Sequence, residues 1–267
     1  MGKERAITGY SSNGLPYACF GTGERSLVVF GGLEFRHEPP SGIMLRMSTG
    51  YLSGLADSYK INVVSRKPGL PKGCSLTDMS DDYALMIEND IGGTPDIIGV
   101  STGGAIAQHF AIDHPDLVGR LVLAMTGCRL NPEARKLQME VAELVRKGRR
   151  RAASALLGTA IMRRGIAKHL LKGFMWLMGP VMIPADPSDG IVEIEAEDRH
   201  DLCNRLDRIK ADTLVIGGEE DFFYPVRETA MKIPNVRLVL YPNRGHNALF
   251  ANSRQFSEEI HNFLLGQ

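Results

Sequence analysis

Pro95-Asp-Ile-Ile-Gly-Val-Ser101-Thr-Gly-Gly-Ala-Ile-Ala-Gln-His-Phe-Ala-Ile112 is the stretch on which the reading of the fold turns. Residues 96–100 are a short run rich in β-branched side chains, the pattern of a parallel strand buried on both faces; residues 104–112 have the composition of a helix. Ser101 stands at the join. Gly99 and Gly103, two residues to either side, permit a turn too tight for side chains, in which the serine is held in a strained backbone conformation. Such strain costs about 1–3 kcal/mol. Presentation gives it a reason, because Oγ then stands out at the carboxyl end of a sheet, beside the first free N–H groups of the new helix, where negative charge is stabilised.

Two other readings compete for this stretch. A chain with 29 glycines meets Gly-x-Ser-x-Gly by chance. A phosphate-cradling loop also joins a strand, a glycine turn and a helix N-terminus. That loop fits poorly: there is no Gly-Lys-Ser/Thr ending, no Gly-x-Gly-x-x-Gly spacing, and Ser101 fills the point where a phosphate needs bare backbone.

Outward from this stretch, strand and helix alternate. Residues 5–10, 15–20 and 26–30 read as strands separated by glycine turns, the first two as an antiparallel pair leading into a buried strand. That strand runs into Gly31-Gly32-Leu33-Glu34, either a plain turn or a close approach of backbone to a ligand. Residues 62–65 form a further strand, and residues 77–90 a helix that stops at Gly92-Gly93. Residues 120–125 are another apolar strand. The alternation implies a mostly parallel sheet with helices on both faces.

Between 131 and 209 only helical patterns appear: Leu137, Val141, Leu144 and Val145, then Ile191, Ile194, Leu202, Leu206 and Ile209 with one gap. This span reads as an inserted helical cap, dividing the chain into a core of 1–130 and 210–267 and a cap of 131–209. Residues 131–172 carry 11 basic and 3 acidic side chains, and 173–209 carry 3 basic and 8 acidic. The cluster Arg146, Lys147, Arg149, Arg150 and Arg151 reads either as a site that recruits an anionic substrate or partner or, the preferred reading, as facing the acidic half in solvated ion pairs. Met175, Trp176, Met178 and Met182 are candidates for an adaptable acyl pocket or for an ordinary apolar core. After the insertion come a strand at 213–216, the loop Gly217-Gly-Glu-Glu-Asp221 ending at Pro225, a helix near 227–233, a strand at 236–241, Gly245-His246, and an amphipathic helix at 253–265.

The chain has 267 residues, enough for an ample core. Its 31 basic and 31 acidic side chains give no global attraction to nucleic acid or an anionic membrane. Cys19, Cys74, Cys128 and Cys203 lie far apart and read as reduced thiols in a cytoplasmic protein. The N-terminus has no apolar h-region, and Ala6 stands where Met1-Gly2 myristoylation wants Ser or Thr. The most apolar run, 174–185, is interrupted by Pro180 and Pro184 and is too short to span a bilayer.

Ser101, Asp221 and His246 each follow a strand of the sheet, in that order. With the elbow Gly99-Val-Ser101-Thr-Gly103-Gly104, the acid loop and Gly245-His246, the chain resembles the α/β-hydrolase family over nearly its whole length. The resemblance implies an eight-stranded sheet and a serine hydrolase acting on an ester, lactone or thioester, with Ser101 as nucleophile, His246 as base and acid, and Asp221 orienting the histidine. It implies oxyanion N–H groups at Leu33 and Thr102. Gly31-Gly32 replace the family's frequent His-Gly, which leaves Gly32 and Glu34 as alternatives to Leu33. A carbon–carbon bond hydrolase and a non-catalytic ligand receptor are the alternatives in function. No cofactor and no metal are expected, and the partner is a small acyl substrate. Serine in the elbow argues against haloalkane dehalogenase and epoxide hydrolase relatives, which use a carboxylate there. His109 and His114 read as structural, and Glu219 and Glu220 as solvated neighbours of the acid.

Overall fold

The computed structural model describes residues 6–163 and 165–266; Arg5, the first residue of the expected opening strand, lies outside them, as do Met1 and Gly2. Eight strands form one sheet: β1 (Ile7–Tyr10), β2 (Pro16–Phe20), β3 (Arg25–Phe30), β4 (Tyr59–Val64), β5 (Asp96–Val100), β6 (Leu121–Ala124), β7 (Thr213–Gly218) and β8 (Val236–Tyr241). Their spatial order is β1-β2-β4-β3-β5-β6-β7-β8. The β1–β2 and β2–β4 pairs are antiparallel and all others parallel. This is the α/β architecture that the alternation implies.

The central strands are apolar on both faces because helices cover both. Leu121 and Leu123 of β6 join the core that holds Phe110 and Met86, whereas Val122 and Ala124 join the opposite one with Phe256 and Ile260. The first face is covered by α2 (Leu76–Met86) and α3 (Thr102–Asp113). Helix α2 opens on a capping box in which Ser75 and Asp78 satisfy each other's backbone N–H, supplying partners that the first turn lacks. It ends in a π-helical turn at Ile87–Ile91 closed by Gly92 N–H to Ile87 O, 2.7 Å. The second face is covered by a final helix, Ser253–Leu265. A helix at Gly42–Thr49 and a 3-10 turn at Gly50–Leu55 occupy a stretch to which periodicity assigns nothing. We number the Gly42–Thr49 helix α1.

Among the described residues, four α-helices stand between β6 and β7: α4 (Pro132–Arg146), α5 (Arg150–Ile161), α6 (Gly165–Met182) and α7 (Ser188–Asp198). Helix α6 runs through Pro180, which sits in its last turn. Helix α7 stops at Asp198, so Leu202, Leu206 and Ile209 do not continue it as their spacing suggests. All three are buried, Leu202 and Ile209 in irregular chain and Leu206 at the start of a short 3-10 helix, Leu206–Arg208. The chain is diverted because Leu202 N–H bonds to Cys128 O at 2.8 Å and Asp201 bridges to Arg129.

The same juxtaposition corrects the reading of four reduced thiols. Cys128 and Cys203 are joined in a disulfide with Cα atoms 4.9 Å apart, and the cysteine argument for a cytoplasmic location loses its basis. Cys19 and Cys74 are free and buried; burial pushes the Cys74 thiol up to about 11. Cys128, Cys203 and Glu228 lie close enough to suggest a metal cluster, but the sulfurs bond each other and Arg129 holds both Glu228 oxygens, at 2.9 and 2.8 Å. The disulfide closes a loop with a sequence separation of 75 around helices α4 to α7. Reducing it is expected to cost about 2–4 kcal/mol, lowering Tm by roughly 4–16 °C. Melting curves with and without dithiothreitol check this; coincident curves would show that the bond adds nothing. No helix among the described residues is long and apolar enough to cross a membrane.

Candidate active site

The elbow forms where close packing requires it. A Cβ at Gly103 would lie 2.2 Å from the carbonyl oxygens of Phe30 and Gly31, and one at Gly99 would lie 2.6 Å from Gly104 Cα. Between them Ser101 takes φ 54°, ψ −122°, a region that L-residues enter at a cost of about 1–3 kcal/mol. Its N–H is tied to Ala124 O at 2.9 Å and its carbonyl accepts from Gly104 and Ala105.

Asp221 follows β7 and His246 follows β8. The two loops are fixed to each other by Glu220 N–H to Arg244 O at 2.8 Å. Ser101 Oγ lies 3.0 Å from His246 Nε2. His246 Nδ1 lies 2.8 Å from Asp221 Oδ2. The other carboxylate oxygen, Oδ1, accepts the backbone N–H groups of Phe223 (2.8 Å) and Tyr224 (3.1 Å). Asp221 is therefore buried with both oxygens engaged, and Phe223 packs against the imidazole at a 4.7 Å centroid distance.

This chain of bonds lies against a cavity of about 480 Å³ lined by Ser101, His246, Leu33, Thr102 and mainly apolar side chains from the sheet edge and the insertion. The profile of the Alpha/beta hydrolase family matches residues 49–259. The chain belongs to that family. It is 27% identical over 245 residues to a Mycobacterium tuberculosis protein that carries the name non-heme bromoperoxidase BpoC, covering 88% of this chain and 92% of that one. It is 27% identical over 233 residues to 2-hydroxy-6-oxo-6-phenylhexa-2,4-dienoate hydrolase of Comamonas testosteroni (82% and 78% covered). To the pimeloyl-acyl-carrier-protein methyl ester esterase of Nitrosomonas europaea it is 23% identical over 217 residues (78% and 86%).

In this alpha/beta hydrolase the turn after β3 is held from behind. Gly32 O accepts from Arg66 Nη2 at 2.5 Å, and Glu34 N–H donates to Glu193 Oε2 at 3.4 Å. A trans peptide points its N–H opposite its C=O, so the Leu33 N–H is turned away from Arg66, while that of Glu34 is already used. Arg66 is itself buried against Glu193, which also meets His37 Nε2 at 3.3 Å.

Glu193 and Glu197 lie one turn apart on α7, and both are buried. Glu197 Oε2 accepts from Thr102 Oγ1 (3.1 Å) and Gln138 Nε2 (2.9 Å), and its Oε1 from Tyr224 O–H. Burial raises its pKa above the usual carboxylate range, against the pull of these donors. Sequence reasoning missed Arg66, Glu193, Gln138 and Glu197 as parts of the site, because in the chain they look like ordinary polar positions. The solvated ion pairs expected between the two halves are made instead by Arg146 with Glu195 and by Arg135 with Asp198 (3.0 Å). Arg150 donates to Ile183 O at 3.3 Å, and Lys147 meets Glu143 at 4.0 Å.

His109 and His200 form a buried pair, Nε2 to Nδ1 at 3.2 Å, with Thr77 and Gly127 O as their outer partners. Burial pushes both down to about 4. His114 pairs with Asp81 at 2.7 Å, and Glu219 with Arg227 at 2.7 Å.

Met175, Met178 and Met182 line the cavity, but Trp176 does not. Positions 175, 178 and 182 share a helix face, and 176 is turned about 100° from 175. Trp176 is 51% exposed, with the Arg151 guanidinium 5.0 Å from its ring centroid. Met178→Ala is accordingly expected to move acyl-chain preference toward longer chains by about tenfold in relative kcat/KM, whereas Trp176→Ala leaves the chain-length profile in place. An ester series from acetate to decanoate measures both; a profile shifted by Trp176→Ala alone would contradict this placement.

Proposed function

We propose that this chain is a serine hydrolase that cleaves a carboxylic ester, or a related lactone or thioester, through an acyl-enzyme. The observation that carries the reading is the unbroken run of hydrogen bonds from Ser101 through His246 to Asp221 at the wall of an apolar cavity. A serine hydroxyl is a weak nucleophile at neutral pH and needs an adjacent base in a fixed tautomer. Asp221 holds a proton on Nδ1 and leaves Nε2 to accept from Ser101. Oγ attacks the carbonyl carbon as its proton passes to Nε2, and the oxyanion is met by the N–H groups of Leu33 and Thr102. Collapse breaks the bond to the leaving alkoxide, which takes the proton from Nε2. Water then repeats the sequence to release the acid. The helices of 131–209 form a cap over the substrate.

The likeness to a dienoate hydrolase favours a second reading, carbon–carbon bond hydrolysis with the same three residues. An ester is preferred because its leaving oxygen is protonated directly by the imidazole, with no proton to deliver to carbon. A fluorophosphonate probe, an ester panel and a dienol-ketone substrate separate the cases. Labelling with ester turnover supports the ester reading, labelling with turnover of the dienol-ketone alone supports the second, and no labelling would leave an inert pocket.

A further inference from the structure

Of the eleven large apolar side chains that stand exposed among the described residues, six lie on one helix, α6. Five of them, Ile166, Leu170, Phe174, Leu177 and Val181, are 56–80% exposed. Their spacing sets them within a wedge of about 80°, in a stripe about 22 Å long. The helix turns Met175, Met178 and Met182 to the cavity, and among the described residues nothing covers the outer stripe. A contiguous apolar surface of this length marks an interaction site.

The charge around the stripe narrows what covers it. No acidic residue occurs between Glu143 and Asp186, whereas that span holds nine Lys and Arg residues. Arg146 and Lys147 are paired with Glu143 and Glu195. Arg151 reaches the border of the stripe, its guanidinium 5.0 Å from the Trp176 ring centroid, and Lys168 and Lys172 stand on α6 with no ion pair among the described residues. The net charge of the chain is zero, so the attraction is confined to this face. A second copy docking through the same face would bring its cations against these, and like charges in contact oppose association. A bilayer with anionic headgroups meets both features: fluid acyl chains accept projecting side chains without a shaped groove, and the headgroups meet the cations.

We propose that the outer face of α6 docks the protein on an anionic phospholipid bilayer. The helix is too short and too polar to cross it, so it lies in the plane of the headgroups with the stripe turned to the acyl chains. Val181 ends the stripe and also lines the cavity that holds Ser101. Docking therefore sets that cavity against the bilayer, within reach of an ester dissolved in it. Only this last step rests on the hydrolase reading; the docking does not.

The test is co-sedimentation of the full chain with sucrose-loaded vesicles of phosphatidylcholine, alone or with about 30% phosphatidylglycerol. Partitioning onto the anionic vesicles is expected to be at least about tenfold stronger than onto the neutral ones and to weaken as salt is raised. The triple variant Ile166→Ser, Leu170→Ser, Leu177→Ser is expected to lower it by about 10- to 100-fold. Arg151→Gln with Lys172→Gln is expected to lower it about tenfold on anionic vesicles and to leave neutral ones little changed. All these side chains are exposed, so the melting curves stay in place. No binding by the unaltered protein overturns the proposal whatever the variants do, as does equal binding to both vesicles or full binding by the triple variant. Sedimentation velocity separates the other occupants: a dimer that the triple variant dissolves, without vesicle binding, assigns the stripe to a second copy, and a monomer without vesicle binding leaves it to an acidic protein. Either result refutes the bilayer. Vesicle binding without turnover of any ester upholds the docking while the hydrolase reading falls, and ester turnover without vesicle binding does the reverse.

Discussion

Ser101→Ala is expected to lower kcat/KM on the best ester by about 10⁴-fold or more and to abolish fluorophosphonate labelling, with an unchanged melting curve. The elbow is imposed by the packing of Gly99 against Gly104 and Ala107, of Gly103 against Phe30 and Gly31, and of Gly104 against Thr126, none of which depends on the serine hydroxyl. Alanine meets the same φ penalty as serine, so the backbone and its two N–H groups stay in place. What disappears is the atom 3.0 Å from His246 Nε2. A small residual rate above water is expected from binding and oxyanion stabilisation alone. Near-normal turnover by the variant would refute the serine mechanism.

Asp221→Asn is expected to lower kcat by about 10⁴ for a reason visible in the two sides of the carboxylate. One oxygen accepts from the Phe223 and Tyr224 N–H groups, and the other from His246 Nδ1. An asparagine keeps its carbonyl toward the two N–H donors, which sets its NH₂ against the imidazole. Nδ1 must then accept, the ring proton moves to Nε2, and the histidine no longer removes the proton from Ser101. Glu219→Gln and Glu220→Gln are expected to change kcat only a few-fold, because both residues are exposed and Glu219 is engaged by Arg227. All three variants are compared on one activated ester with thermal melts alongside. A large loss in a glutamate variant with near-normal activity in Asp221→Asn would move the acid to that glutamate.

Legible in the amino-acid order were the strands of the sheet, most of the helices that cover it, though not α1, and the three strand ends that carry Ser101, Asp221 and His246. Each of those signals is local: β-branched runs bounded by glycine, a helical period, and a serine between glycines at a strand-to-helix join. Glycine at 99 and 103 is legible because backbone crowding at a tight turn is a demand of the turn itself.

Partnerships across the chain left no such mark, because they depend on which distant segments pack together. Cys128 and Cys203 meet because the end of β6 and the chain after α7 lie side by side, a contact 75 residues apart in sequence. Glu193 and Glu197 belong to the acidic half, 173–209, which the charge count alone sets in solvated ion pairs. They are buried because Arg66, Thr102, Gln138 and Tyr224, from four other parts of the chain, supply the hydrogen bonds that make burying a carboxylate tolerable. Trp176 shows the same limit in reverse: composition grouped it with three methionines, but the direction of a side chain around a helix axis depends on what packs against that helix. Periodicity fixes which residues share a face. Only the packed protein fixes which face looks into the cavity.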